Sequence, residues 1–291
     1  MALIPSFFLD CVVSIGIQDT SGASWIGTGF IVGRPITNDS GEKVYHPFLV
    51  TNKHVLKDKR NILLRFNTLQ GATVIDYPID LEPGGQPIWV GHVSADIDIA
   101  VFYINPDVLK NDSAVFSFFH LDEHTMCVSD MKRDGLSEGD SIFVLGFPMG
   151  LVSMQSNHVI SRSGSIARIR DLLANRQSNF LIDANIFPGN SGGPVINRPE
   201  ISSIQGTTPI TKAALIGVVK SYVPFRDVAI SQQTGKPRVI FEENSGLALA
   251  ETIDSVKYLI SRRNYNYAMA GSWISKALRI SRCALVTSVR I

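Results

Sequence analysis

FPGNSGGPV occupies residues 187–195. Ser191 sits between Asn190 and the pair Gly192-Gly193, with Gly189 one step earlier. Two readings compete for such a stretch: a glycine-rich turn between strands, or a loop that presents a nucleophile. A serine hydroxyl is a poor nucleophile alone. It needs a base to take its proton, a group to orient that base, and donors for the oxyanion. Gly189 to Gly193 fits the G-x-S-x-G nucleophile elbow, in which the base histidine follows the serine along the chain. The six histidines here, His46, His54, His92, His120, His124 and His158, all precede Ser191. The elbow therefore lacks its base. An order of histidine, then aspartate, then serine remains open.

Two upstream segments fit that order. In FLVTNKHVL (48–56) an apolar strand ends and a short helix begins at His54. In ADIDIAVFYI (95–104) two acidic residues, Asp96 and Asp98, open an apolar strand and share one of its faces.

Around these segments the chain reads as short strands with turn punctuation. CVVSIGI (11–17), GTGFIVG (27–33), NILLRF (61–66), ATVIDYPI (72–79), SIFVLGF (141–147), HVISRSGSIARI (158–169), NFLIDA (179–184), PVIN (194–197) and ALIGVVKSY (214–222) continue the series. That spacing predicts a sandwich or barrels. Helix is scarce, and the last good helical pattern is AETIDSVKYLISR (250–262). Residues 105–137 have weak periodicity and read as a link between two β units. Residues 198–212 and 223–245 read as long loops. Residues 263–291 hold no acidic side chain and read as a basic tail, helical or frayed.

The bulk numbers exclude several classes. Among 291 residues, 45% are hydrophobic and 18% charged, enough for a sizeable core. A formal net charge of +1 gives no electrostatic case for nucleic acid. Three scattered cysteines, Cys11, Cys127 and Cys283, form neither a disulfide framework nor a zinc motif, and read as small buried apolar groups. No run reaches the roughly 18 uninterrupted apolar residues of a membrane span. The first residues lack the basic region of a signal peptide. The expectation is a cytoplasmic protein without cofactor or integral membrane segment.

TNKHV (51–55), DIAVF (98–102), VLGFPMG (144–150) and GNSGGPV (189–195) resemble the trypsin-like serine peptidases, particularly the bacterial Deg/HtrA type. SGLALAETIDSVKYLI (245–260) is similar to that family's last strand and closing helix. No PDZ-like segment follows. The resemblance implies an all-β fold of two antiparallel six-stranded β-barrels with a C-terminal helix. The protease domain would span 1–262, with barrels at about 8–110 and 138–250, a closing helix at 250–262, and the tail 263–291 outside it.

Carried over residue by residue, the resemblance implies that His54 is the general base, Asp98 orients it and Ser191 attacks the scissile carbonyl. Asp98 is preferred to Asp96 because it directly precedes Ile99-Ala100. The N–H groups of Gly189 and Ser191 would hold the oxyanion. Asn185, six residues before the serine, would floor the specificity pocket. Lys220, Ser221 and Tyr222 would pair with substrate as an added strand. An uncharged Asn185 and a bulky Tyr222 favour small or medium uncharged side chains before the cut bond. Asn190 stands where secreted trypsins have an aspartate that pairs with a newly cut N-terminal amine. Activation by such a clip is therefore not expected, and control is expected from loops, a regulatory protein partner or the substrate. Protein or peptide would be the substrate.

Two other readings compete. HLDEH (120–124) fits the H-x-x-E-H pattern of inverted zinc peptidases, with His120 and His124 as ligands. The protein could also be a catalytically silent trypsin-like binding module.

Overall fold

The computed structural model describes residues 3–20, 22–71, 73–200, 207 and 209–261. The basic tail and Cys283 lie outside the described residues, as does part of the 198–212 segment.

The first half of the chain carries β1 (Val12–Asp19), β2 (Gly22–Thr37), β3 (Lys43–Thr51), β4 (Asn61–Thr68), β5 (Val74–Asp80), β6 (Val90–Gly91), β7 (Ala100–Tyr103), β8 (Ala114–Val115) and β9 (Phe119–His120). They form one sheet in the order β5-β4-β1-β2-β3-β7-β6, with β8 beside β4 and β9 parallel to β2. Three of the nine, β6, β8 and β9, are two-residue additions to six principal strands.

The second half carries β10 (Ser141–Gly146), β11 (Ile160–Arg168), β12 (Asn179–Asp183), β13 (Pro194–Asn197), β14 (Leu215–Ile230) and β15 (Pro237–Thr252). These close into an antiparallel barrel in the order β10-β11-β12-β15-β14-β13. The helix Ile253–Ser261 follows directly. The expected fold class, an all-β trypsin-like double barrel with a C-terminal helix, is what the chain adopts. Among the described residues, no helix is long and apolar enough to cross a membrane.

Three apolar cores explain the sequence pattern. Val13, Ile15, Ile31, Leu49, Leu64, Phe66 and Phe102 fill the first half. Ile142, Val144, Ile166, Phe180, Ile182, Val195 and Val219 fill the barrel of the second. The third core joins the halves: Phe30, Val32, Phe48 and Val50 meet Leu145, Phe147, Ile196, Val218, Ile253 and Val256. In the β2–β3 pair Ile31 is opposite Leu49, while Phe30 is opposite Val50 and Val32 opposite Phe48. One face of this pair therefore serves the first core and the other face the joint. Strands buried on both sides need continuous apolar runs, and FIV and FLV supply them.

The structure corrects the expected loop at 223–245. β14 and β15 continue past the barrel as a two-stranded ribbon, with Arg226 opposite Glu242 and Val228 opposite Ile240. Its tip is a tight turn in which Ser231 N–H donates to Lys236 C=O and Gly235 takes φ +64°. Phe225, Ile230, Ile240 and Phe241 are exposed on it. The closing helix begins at Ile253 because Ala250–Thr252 still belong to β15.

Candidate active site

His54 stands on the short helix Lys53–Leu56, directly after β3. Its Nδ1 lies 2.5 Å from Asp98 Oδ2, and its backbone N–H donates to Asp98 Oδ1 at 3.2 Å. The imidazole is half exposed and the carboxylate largely covered. Burial works to raise the Asp98 pKa, but the hydrogen bond and charge of His54, with the N–H groups of His54 and Lys53, outweigh it and hold the pKa below the usual value. The carboxylate is thus kept ionised against the ring. Asp96 is exposed; Asp98 takes the position beside His54.

Asp98 is held through its backbone as well. Asn52 is fully buried, and its Nδ2 donates to the Asp98 carbonyl at 2.7 Å. Lys53 Nζ donates to the Ser94 carbonyl at 2.9 Å. The NK of TNKHV is therefore structural support for the turn that carries Asp98.

Ser191 sits half-buried on the loop before β13. Phe187 to Asn190 form a turn closed by Asn190 N–H to the Phe187 carbonyl at 3.0 Å, with Pro188 and Gly189 at its centre. Gly189 takes φ +97°, where a side chain would be strained, and a Cβ there would come within 2.3 Å of the Phe147 carbonyl oxygen. Gly192 N–H donates to Val219 and Gly193 N–H to Asn190. Among the described residues, the N–H groups of Gly189 and Ser191 take no part in these backbone bonds.

Thr28 on β2 seats this loop, and sequence reasoning did not find it. Its N–H donates to the Ser191 carbonyl at 3.0 Å. Its Oγ1 donates to the Gly189 carbonyl at 2.6 Å and accepts from Phe147 N–H at 3.0 Å. Its carbonyl accepts Thr51 Oγ1 at 2.8 Å. The only early hint was GTGF, read as a strand. Gly27 lies next to it. A Cβ at Gly27 would touch Val55 at 2.8 Å and the Ser191 carbonyl at 3.6 Å. The His54 helix and the Ser191 loop therefore converge on Gly27 and Thr28 from opposite halves. Among the described residues, Ser191 Oγ makes no hydrogen bond, to His54 or to any other group.

The remaining expected residues divide. Asn185 is exposed and lies by Gly246 at the start of the barrel part of β15. Lys220, Ser221 and Tyr222 lie on β14 just past its last pairing with β13 at Val218. From Lys220 on, no strand pairs with that edge among the described residues. The Tyr222 hydroxyl donates to Glu242 at 2.8 Å. Lys220 Nζ turns away from the edge to Glu251 at 3.0 Å. Glu251 is a second residue that the sequence did not announce.

His120, Glu123 and His124 come together at β9, beside Gly33 rather than Thr28. Their ligand atoms lie within 4.8 Å of one another. Yet His124 Nδ1 accepts the His120 N–H at 3.0 Å, and Lys43 Nζ holds Glu123 at 2.7 Å. Cys11 is buried and Cys127 half-buried, and both thiols are pushed up chiefly by burial.

A family model described as the trypsin-like peptidase domain matches residues 27–200, a span that holds Thr28, His54, Asp98 and Ser191. The chain belongs to the trypsin-like peptidase family. Solved structures similar to it include the HtrA-type protease AlgW with a decapeptide, at 19% identity and a TM-score of 0.47, covering 88% of this chain. This chain spans 65% of the AlgW chain. The MamO protease domain from Magnetospirillum magneticum is 16% identical with a TM-score of 0.43, covering 87% of this chain and 97% of its own. An inactive form of Rv3671c from M. tuberculosis H37Rv, a serine-to-alanine mutant, is 14% identical with a TM-score of 0.42, covering 88% of both chains.

Proposed function

We propose that this protein is a serine endopeptidase. The observation that carries the reading is the His54–Asp98 contact at 2.5 Å, on a helix that shares the Gly27–Thr28 seat with the Ser191 loop. Asp98 fixes the imidazole tautomer through Nδ1 and leaves Nε2 to accept the Ser191 proton. Ser191 Oγ then attacks the scissile carbonyl. The developing oxyanion is received by the N–H groups of Gly189 and Ser191. The imidazolium returns its proton to the leaving amine, and water hydrolyses the acyl-enzyme by the same route.

Substrate lies as an added strand along Lys220–Tyr222, with its side chain before the cut bond directed towards Asn185. Small or medium uncharged side chains are favoured there. A peptide library cut mainly after Arg or Lys would refute that preference. Asn190 is fully buried and carries no charge to receive a new N-terminal amine. The site is therefore armed without an N-terminal clip, and control falls to loops, substrate or a protein partner.

A second reading is a silent binding module, favoured by the absence of a hydrogen bond between Ser191 Oγ and His54. A fluorophosphonate probe separates the two. Labelling of the parent that is lost in Ser191→Ala and strongly reduced in His54→Ala supports the peptidase. Absence of Ser191-dependent labelling, with and without peptide substrate, refutes it.

A further inference from the structure

Glu251 is fully buried near the end of β15, opposite Val218 on β14 and Asn179 on β12. Its Oε1 accepts the Asp98 N–H at 3.2 Å and pairs with Lys220 Nζ at 3.0 Å. Its Oε2 is buried with no hydrogen-bond partner. Lys220 Nζ also donates to the Asp96 carbonyl. The ammonium and the carboxylate thus grip the Asp96–Asp98 turn at its two ends. Asn52 holds the same turn from the first half, through the Asp98 carbonyl.

Such a pair is a poor way to stabilise a barrel. Taking the Glu251 carboxylate fully out of water and the Lys220 ammonium most of the way is costly, and apolar replacements of buried pairs are often neutral or stabilising. An oxygen left without a partner adds to that cost. Among the described residues, the side chains of Glu251 and Lys220 bond, apart from each other, only to the turn that ends in Asp98.

We propose that Glu251 and Lys220 form a positioning clamp, which sets the Asp98 carboxylate against His54 Nδ1 from the second half of the molecule. Lys220 lies on the strand edge assigned to substrate, so the clamp also ties that edge to the His54–Asp98 pair. The kinetic consequence rests on the peptidase reading; the geometric one does not.

The test uses the full chain and two readouts. One is kcat and KM on a peptide that the parent cleaves. The other is the far-downfield proton resonance of the His54–Asp98 hydrogen bond, recorded in the parent and in Ser191→Ala. Glu251→Leu removes both grips of the carboxylate. It is expected to lower kcat about tenfold or more with KM little changed, as loss of alignment does, and to shift or broaden the downfield proton. Glu251→Gln keeps the shape and an acceptor for Asp98 N–H, and is expected to fall between parent and Glu251→Leu in both readouts. It also keeps the test decisive should Glu251→Leu fail to fold.

An unchanged downfield proton and kcat within about twofold in Glu251→Gln, and in Glu251→Leu where it folds, overturn the clamp. If the parent cleaves nothing, the resonance alone decides. A proton perturbed by Glu251→Gln then upholds the clamp and an unperturbed one overturns it, while Ser191-dependent fluorophosphonate labelling decides the peptidase reading separately.

Discussion

Thr28 Oγ1 donates to the Gly189 carbonyl at 2.6 Å, across 161 residues of chain. The same oxygen accepts the Phe147 N–H, so one buried hydroxyl fixes both walls of the loop that carries Ser191. Thr28→Val keeps the shape and deletes the hydroxyl. It strands a carbonyl and an N–H, at about 1–3 kcal/mol each. The expected result is a lower urea midpoint and a fall in probe-labelling rate of about tenfold or more. A labelling rate equal to that of the parent would show that Thr28 does not position the loop.

Gly192 takes φ +84°, and a Cβ there would meet the Thr28 carbonyl at 2.2 Å and Thr51 Oγ1 at 2.3 Å. Gly192→Ala should cost about 2–4 kcal/mol from strain and overlap together. Gly235 on the ribbon tip also has positive φ, but a Cβ there would meet nothing within 4 Å. Gly235→Ala should cost about 1 kcal/mol. Equal losses in thermal denaturation would mean that crowding at Gly192 is relieved elsewhere.

The acid limb of stability follows from Asp98. Its pKa is lower in the fold than in the unfolded chain, because His54 favours the ionised form more than burial opposes it. The unfolded state therefore takes up the proton first as pH falls through about 4. The contribution is present above that pH and lost below it. Asp98→Asn should be less stable than the parent at pH 7, and the gap should narrow by pH 3. A gap in urea midpoint that is constant over that range would contradict the assignment.

The ribbon lies beyond the last barrel pairing at Tyr222 and Ala248. Replacing residues 227–241 by an Asn-Gly turn joins Arg226 to Glu242 in a tight hairpin. The barrel should keep its melting temperature to within a few degrees, about 1 kcal/mol or less. Solubility should rise, since Ile230 and Ile240, each 62% exposed, are removed. Loss of folding would show that the ribbon belongs to the barrel's cooperative unit.

A chelator discriminates the zinc reading. Lys43 already neutralises Glu123, and His124 Nδ1 is taken by backbone. Fluorophosphonate labelling and peptide cleavage should be unchanged by exhaustive EDTA treatment. Loss of cleavage that zinc alone restores would reverse this.

The parts of the site that were legible are those with local signatures. His54 at a strand-to-helix step, Asp98 at the head of an apolar run and Ser191 among glycines each carry their context within five residues. Thr28 and Glu251 do not. Their functional bonds reach 161 and 153 residues along the chain, and neither has a periodic or motif signature. The ribbon was illegible for a different reason. Strand alternation is visible when one face is buried, and between Phe225 and Phe241 neither face is. Lys220 falls on a strand that the sequence predicts, but its side chain leaves the edge for a buried carboxylate on β15, which no local pattern announces.

The joint between the halves has a dynamic consequence. An interface built from Phe30, Phe48, Leu145, Phe147 and Val218 is continuous apolar core, not a wet cleft that opens and shuts. Relative domain motion is the default only where such interfaces are small and polar. Such a joint opposes relative motion of the two halves, and with it any hinge between His54 and Ser191. On the peptidase reading, control therefore falls to the loops around Ser191, to substrate or to a partner, and not to the joint.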